Sequence, residues 1–169
     1  MKSWRKFRRA VDLALEGLLA IVMGVLVLDV VWQVFTRYVL GDPSSWTEEL
    51  ATYLMIWVGL LGASVALRRG AHLGIDYFVA RLAPRSRAAS EVLVYAVAAA
   101  FSLGVLVLGG ARLVQQTLAL GQSSPALGIK MGYVYLALPI SGVFLALYSV
   151  EFLIERLVRV LRGRRPQAS

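Results

Sequence analysis

Asp29 is the side chain best placed to do chemistry, because it is a carboxylate within an otherwise uncharged apolar run at residues 17–36. A carboxylate inside an apolar helix is costly and usually serves a function. Asp29, Gln33 and Arg37 are spaced four residues apart, so a helix places them on one face. Two hypotheses follow: a proton or cation relay, or a polar stripe that hydrogen-bonds another helix. We favour the second.

The single histidine, His72, is the next candidate. Asp76 lies four residues further on and would orient the imidazole ring if the segment is helical. Without cysteine or a second histidine, the chain has no thiolate metal site, thiol nucleophile or bis-histidine haem. It also has no nucleophile triad, phosphate-binding loop or dinucleotide fingerprint. We therefore predict a protein that is not an enzyme and holds no cofactor or metal. For His72 we favour a structural or interfacial role over pH sensing.

Two adjacent acids, Glu48 and Glu49, follow Ser45 near the start of the second apolar run. The segment 45–48 has the form of a capping box, with Ser45 as N-cap and Glu48 at the third helical position. Both acids favour the positive end of the helix dipole. Because Arg37 lies at the same depth, we expect it to pair with Glu48 or Glu49. A catalytic carboxylate pair is disfavoured, since adjacent residues point to different faces of a helix.

These residues lie in a chain that is more apolar than a soluble domain. Of its 169 residues, 59% are hydrophobic and 17% are charged, and the mean hydropathy is +0.70. The net charge is +8, but the basic residues flank apolar runs, which is typical of membrane proteins and not of nucleic-acid binding. Four charge-poor stretches have the length of about 20 residues that a helix needs to cross a bilayer. We predict an all-α membrane protein with one domain, 1–169, and spans at about 12–37, 47–68, 88–118 and 132–157.

The distribution of basic residues predicts how these spans are oriented. Fifteen of the 18 Lys and Arg residues lie before the first span, between the second and third, or after the fourth. The remaining three lie in the other two loops. The positive-inside rule therefore places both termini and the middle connection in the cytoplasm. Four spans and two termini on one side agree with each other.

The connection between the second and third spans predicts a short amphipathic helix at about residues 72–83. Its apolar residues have the i, i+3, i+4, i+7 spacing of a helix face, namely Ile75, Phe78, Val79 and Leu82. Pro84 ends the pattern. Such a helix would lie in the membrane interface, with Arg85 and Arg87 among phospholipid head groups. A short re-entrant turn is the alternative.

Further features concern how the spans pack. If residues 85–120 are helical, the third span is about 54 Å long and must tilt or protrude from the bilayer. Pro139 predicts a kink in the fourth span. Several small residues predict faces for close helix packing, among them Gly59, Gly62, Gly104, Gly109, Gly110 and Gly142. Four spans without an internal repeat leave no room for the inverted-repeat core of a secondary transporter.

Three segments carry a family resemblance: RYVLGDPSSWTEELA from residue 37, RRGAHLGID from residue 68, and SPAL from residue 124 followed by GYVYLALP from residue 132. In order and spacing they resemble the small membrane subunit, the DctQ type, of tripartite ATP-independent periplasmic (TRAP) transporters. The matching polar and aromatic residues, together with one proline, are Arg37, Trp46, Glu48, Glu49, Arg68, His72, Asp76, Ser124, Pro125 and Tyr133. Asp29 is not part of the family pattern.

The resemblance implies a non-catalytic subunit of a transporter in a bacterial or archaeal inner membrane. Its partners would be phospholipids, a periplasmic substrate-binding protein and a large elevator-type membrane subunit that holds the substrate and sodium sites. The small subunit would brace the scaffold of the large one and help to dock the binding protein during sodium-coupled uptake of an organic acid or similar solute. The matching residues are then candidates for partner interfaces, with the segment 68–76 on the cytoplasmic side.

Two alternatives stay open at this point. One is a self-sufficient, homo-oligomeric small channel or transporter in which Asp29 faces a pore. The other is an electron-transfer subunit with a bound cofactor, against which the single histidine argues.

Overall fold

The computed structural model of the protein describes residues 2–42, 44–69 and 84–161. The predicted interfacial helix at about 72–83 lies outside these residues, as do His72 and Asp76. In the described part of the chain every regular element is helical, apart from one isolated β-bridge between Ser123 and Lys130.

The first two spans form a helical hairpin. The helix α1 (Lys2–Phe35) continues into a π-helical turn, π1 (Thr36–Leu40), and the chain then reverses at Gly41. Gly41 has a φ of 68°, a left-handed conformation that glycine adopts without strain. The helix α2 (Ser45–Arg68) runs back antiparallel to α1.

The third and fourth spans form a second hairpin. The helix α3 (Pro84–Phe101) continues through a π-helical segment, π2 (Ser102–Gly109), into α4 (Gly110–Ala119). The long third span expected from the sequence is therefore one continuous helical rod. The loop 120–130 then leads into α5 (Met131–Tyr135) and α6 (Ala137–Leu161).

Four helical stretches are long and apolar enough to cross a membrane, which confirms the prediction of an all-α protein with four transmembrane helices. They are Arg9–Leu40, Ser45–Arg68, Ala89–Ala119 and Met131–Arg159. Many of their large apolar side chains are exposed, including Leu28 and Leu147. Such exposure suits helices whose solvent is the hydrocarbon core of a bilayer.

Within the described residues the spans lie side by side in a row, and no closed bundle forms. The helix α1 packs along α2, α2 packs against α6, and α6 packs against α3 and π2. The fourth span therefore lies between the second and the third. A buried cluster joins α1, α2 and α6 near one end of the row, and it contains Leu15, Leu61, Leu67 and Tyr148.

Small side chains bring the helices of the row close together at a few positions only. Ser64 and Ser141 are fully buried between α2 and α6, and the Ser64 hydroxyl donates to the Ser141 carbonyl at 3.2 Å. On the other side of α6, a Cβ atom added at Gly142 would lie 2.7 Å from Leu106 Cβ. By contrast, Cβ atoms added at Gly59 or Gly62 would meet no neighbour within 4 Å, so the close packing expected at these glycines is wrong.

The fourth span is interrupted at Leu136, three residues before Pro139. Proline has no N–H group, so the carbonyl of Tyr135 loses its helical donor, and the proline ring crowds the same carbonyl. The helix resumes at Ala137, where the Ile140 N–H donates to the Leu136 carbonyl at 3.2 Å. The break agrees with the kink predicted from Pro139.

We expect Gly142→Ala to lower the free energy of unfolding by about 1–3 kcal/mol, the usual cost of overpacking a tight contact. The added methyl would collide with Leu106 Cβ and with the backbone of the same residue, neither of which rotates away. Unfolding in mixed micelles of a mild detergent and sodium dodecyl sulfate measures the change. Gly104→Ala is the matched control, because its Cβ meets no neighbour and alanine favours the helix. Equal stability of the two variants would contradict the proposed contact between α6 and π2.

Candidate functional site

Most of the predicted site residues lie at the end of the row that carries the loop 120–130, here called the loop end. The helix α2 begins there, and Glu49 lies at its fifth residue. The Glu49 Oε2 atom accepts a hydrogen bond from the Ser124 hydroxyl at 2.5 Å. It also accepts from the backbone N–H groups of Ala126 and Leu127, each at 3.1 Å. One carboxylate therefore ties the second span to the connection between the third and fourth.

The loop that Glu49 binds is a compact hairpin with its own backbone hydrogen bonds. The Ser124 N–H donates to the Ile129 carbonyl at 2.8 Å, and the Gly128 N–H donates to the Ser124 carbonyl at 3.0 Å. Gly128 has a φ of 66°, the left-handed conformation that lets the chain turn back in so few residues. Charge-assisted hydrogen bonds are among the stronger ones in proteins, so the carboxylate gives this hairpin a fixed position on α2.

The two predicted interface residues of the loop that Glu49 binds differ in their exposure. Ser124 is 3% exposed and is occupied by its bonds within the chain, whereas Pro125 is exposed on the outer side. Two aromatic side chains at the same end are also exposed, Trp46 by 42% and Tyr133 by 55%. The loop end thus presents an apolar and aromatic surface on a rigid support.

The cap of α2 differs from the prediction. Ser44, not Ser45, is the N-cap residue, with the extended backbone angles φ −78° and ψ 121°. The Thr47 hydroxyl donates to the Ser44 carbonyl at 2.8 Å and lies 2.7 Å from the Ser44 hydroxyl. Thr47 is the third residue of the helix, so Glu48 is the fourth, and its side chain is exposed.

The expected ion pair between Arg37 and Glu48 or Glu49 does not form within the described residues. Glu49 is turned toward the loop, where three donors already bind it. Arg37 lies in π1, whose wider turn brings Thr36 inward, 5% exposed, and leaves Arg37 exposed. The three residues lie near the same end of the row, but their side chains point in different directions around the helices.

Asp29 and Gln33 lie on the face of α1 that turns inward, together with Thr36 and not Arg37. The Thr36 hydroxyl donates to the backbone carbonyl of Gln33 at 3.0 Å. Asp29 is 6% exposed, and neither of its carboxylate oxygens has a hydrogen-bond partner among the described residues. The predicted stripe therefore turns inward at Asp29 and Gln33 and not at Arg37, and its hydrogen bond from Asp29 to another helix stays a prediction.

The opposite end of the row, here called the basic end, is joined by side chains from three spans. Arg68 Nε donates to Asp12 Oδ2 at 3.1 Å, and the Tyr148 hydroxyl donates to Asp12 Oδ1 at 2.8 Å. The Arg68 guanidinium also lies over the Tyr148 ring, 5.6 Å from its centre. Arg68, predicted as a partner contact, is thereby engaged with α1 and α6.

Two more ion pairs strengthen the basic end. Arg69 Nη2 lies 3.1 Å from Glu16 Oε1, and Arg156 Nη1 lies 3.0 Å from Glu91 Oε2. The sequence analysis missed these acids and Asp12. One signal was available: Asp12 and Glu16 are four residues apart on one face of α1, opposite the adjacent Arg68 and Arg69.

In the residues that the structure describes, no group of three His, Cys, Asp or Glu side chains is placed to hold a metal ion. What the described polar side chains do is join helices at the two ends of the row and fix the shape of one loop.

The comparisons with known proteins agree on one family. The family model of the DctQ component of tripartite ATP-independent periplasmic transporters matches residues 26–159. The sialic acid TRAP transporter small permease protein SiaQ of Vibrio cholerae is 32% identical over 147 residues, which are 87% of this chain and 83% of that protein. The C4-dicarboxylate TRAP transporter small permease protein DctQ of Rhodobacter capsulatus is 35% identical over 98 residues, 57% of this chain and 42% of that one.

A third relative is much longer than this chain. The sialic acid TRAP transporter permease protein SiaT of Haemophilus influenzae is 47% identical over 45 residues, which are 27% of this chain and 7% of that protein. The similarity therefore covers a small segment of a large permease.

We expect Glu49→Gln to loosen the loop 120–130 while leaving α2 folded. A hydrogen bond to a charged group contributes about 1.5–3 kcal/mol, so amide exchange at Ala126 and Leu127 should rise about tenfold to a hundredfold. Hydrogen exchange followed by mass spectrometry measures this. Glu48→Gln serves as the control, because Glu48 is exposed and the hydrogen bonds to the loop among the described residues go to Glu49. Unchanged exchange in Glu49→Gln would mean that the carboxylate does not hold the loop.

Proposed function

The chain belongs to the DctQ family, the small permease component of TRAP transporters, and on this premise we propose that it is a non-catalytic frame. It braces the scaffold of a separate large permease subunit and helps to dock a periplasmic substrate-binding protein. The transported solute is an organic acid or a similar compound, and its uptake is coupled to sodium.

Family membership confirms the resemblance found in the motifs. It makes the protein a multi-pass protein of the bacterial inner membrane and a transporter component that is not an enzyme. We propose the large permease subunit and the substrate-binding protein as its partners, and sodium as the coupling ion.

The open row of helices is the observation that carries the bracing role. In the first span, 6% of the residues in an apolar 18-residue stretch are buried within the chain, against 33% in the fourth span. Among the described residues α1 packs mainly along α2 and meets α6 only near the basic end, so most of its circumference is free to contact lipid or another protein. A second membrane subunit that packed against α1 would gain a contact of more than 30 Å along the helix, which is about the thickness of the hydrocarbon core.

The long relative supports a large partner. In SiaT, a segment similar to this chain is part of a much longer permease. Since a segment like this chain occurs within one long permease polypeptide, we expect a separate small chain to associate with a separate large permease subunit.

We propose that the basic end faces the cytoplasm and the loop end faces the periplasm. The supporting observation is the charge count: the segments that meet at the basic end hold most of the Lys and Arg residues. In this orientation Trp46, Pro125, Tyr133 and Arg37 are exposed on the side where a binding protein arrives. The predicted contacts Glu49 and Ser124 then act indirectly, by fixing the loop that carries Pro125.

Co-purification tests the frame hypothesis. With a tag on this chain only, co-expression with the large-subunit gene should give a one-to-one complex that survives detergent and size exclusion. In liposomes the complex should take up solute only with the binding protein and a sodium gradient. A homo-oligomer that ignores the large subunit, or transport by this chain alone, would instead support the alternative in which Asp29 lines a pore.

The docking role makes a separate prediction about Glu49. A loosened loop must be ordered on binding, which costs affinity. In the reconstituted complex, Glu49→Gln should therefore raise the binding-protein concentration needed for half-maximal uptake several-fold, with the maximal rate unchanged. Glu155→Gln, an exposed acid near the basic end, is the control and should leave this concentration unaltered. A fall in the maximal rate alone would argue that the loop acts on the transport step and not on docking.

A further inference from the structure

A groove of about 310 Å³ runs between α1 and α2 and opens to the side of the protein. It lies in the half of the hairpin nearer the basic end, away from the loop that Glu49 clamps. Apolar side chains line most of it, and one ion pair lies at its end. The lining residues are Leu19, Ala20, Met23, Val58, Gly62 and Val65, with Glu16 and Arg69 at the end.

The groove exists because two of its lining residues are small. A Cβ atom added at Gly62 would meet nothing within 4 Å, and Ala20 on the facing helix has only a methyl group. Two ion pairs join the helices at the basic end, Asp12 with Arg68 and Glu16 with Arg69. The groove begins at the second of these pairs and continues between the two helices.

The charged end of the groove offers an unused donor. Arg69 binds Glu16 Oε1 through Nε at 3.2 Å and through Nη2 at 3.1 Å. Its Nη1 amino group has no partner among the described residues, and the side chain is 65% exposed. A guanidinium with free N–H groups at a membrane surface is well suited to bind a phosphate oxygen.

The length of the groove matches one leaflet of a bilayer. From Arg69 to Val58 there are eleven residues, or about 17 Å along a helix. On α1 the lining runs from Glu16 to Met23, or about 11 Å. The hydrocarbon core is about 30 Å thick, so both lengths are comparable to the thickness of one leaflet.

We propose that this groove binds one acyl chain of an anionic phospholipid from the leaflet at the basic end, with the head-group phosphate on Arg69. The surrounding charge favours an anionic head group. By sequence, residues 1–16 together with Arg68 and Arg69 carry seven basic and two acidic side chains. Basic residues next to a membrane attract anionic lipids.

A helix of the large subunit is the competing occupant, and the shape of the groove argues against it. A helix with its side chains is about 10 Å wide and needs an open face. This groove is a hollow between two helices that are themselves in contact, and its depth depends on the small side chains of Gly62 and Ala20. An acyl chain is flexible and narrow enough to fill it.

Native mass spectrometry of the full chain tests the proposal. The protein, alone and in complex with the large subunit, is equilibrated in detergent with equal amounts of phosphatidylglycerol and phosphatidylcholine. We expect one retained lipid per chain, with phosphatidylglycerol preferred several-fold, both alone and in the complex. No retention, or equal retention of the two lipids, would overturn the proposal.

Two pairs of variants locate the site. Gly62→Leu should fill the groove and reduce lipid retention several-fold, whereas Gly59→Leu, on the same helix and equally free of neighbours, should not. Arg69→Gln should abolish the preference for phosphatidylglycerol, whereas Arg159→Gln, an exposed ion-paired arginine near the same end, should keep it. If Gly62→Leu does not fold, Ala20→Leu fills the groove from α1.

Other outcomes separate this proposal from the proposed function. Equal retention by Gly62→Leu and Gly59→Leu would overturn the lipid site and leave the frame hypothesis intact. Retention by the chain alone that is lost in the complex, together with weaker large-subunit binding by Gly62→Leu, would assign the groove to a partner helix instead. Failure of the large subunit to co-purify bears on the frame hypothesis only, since lipid retention is measured on the chain by itself.

Discussion

The close contact of α6 with its neighbours on both sides is the interaction on which the rest of the row depends. In a membrane, apolar side chains gain little by leaving lipid for protein, so helices associate through close fit and polar contacts. On one side of α6, Ser64 and Ser141 let α2 approach and form a hydrogen bond. On the other side, Gly142 leaves no room for a side chain against Leu106. The first contact joins the two hairpins, and the second joins the third and fourth spans within one hairpin.

Polar side chains then fix the two ends of the row, where the helices leave the bilayer. At the basic end, Asp12 binds both Arg68 and Tyr148, so three spans share one carboxylate. At the loop end, Glu49 binds the hairpin between the third and fourth spans. The two carboxylates serve the same purpose with different donors: side chains of other helices at one end, and mainly backbone N–H groups of a loop at the other. Such an arrangement suits a frame, because the relative positions of the spans are fixed at both ends while their sides stay free.

The sequence predicts the position of a residue along its span well and its direction around the helix poorly. Hydropathy located all four spans, and Arg37, Glu48 and Glu49 do lie near one end of the row. The expected Arg37 pair failed because Glu49 faces the loop and π1 turns Arg37 outward. In a soluble protein the apolar face of a helix marks its inner side, but here lipid-facing and buried positions are equally apolar. The ion pairs at the basic end show the same limit, since only the spacing of Asp12 and Glu16 pointed toward α2.

The same reasoning explains why α1 is the helix with the most surface available to lipid or to another subunit. In the described part of the chain it packs mainly along α2, and its ion pairs and its hydrogen bond to α6 all lie at the basic end. Between those pairs and the polar stripe at Asp29 and Gln33, α1 faces α2 across the groove that Gly62 and Ala20 leave. A lipid chain there would support α1 along the leaflet nearest the basic end. The position of the α1 face that contacts a large subunit would then depend both on the packing of α1 against α2 and on the lipid bound between them.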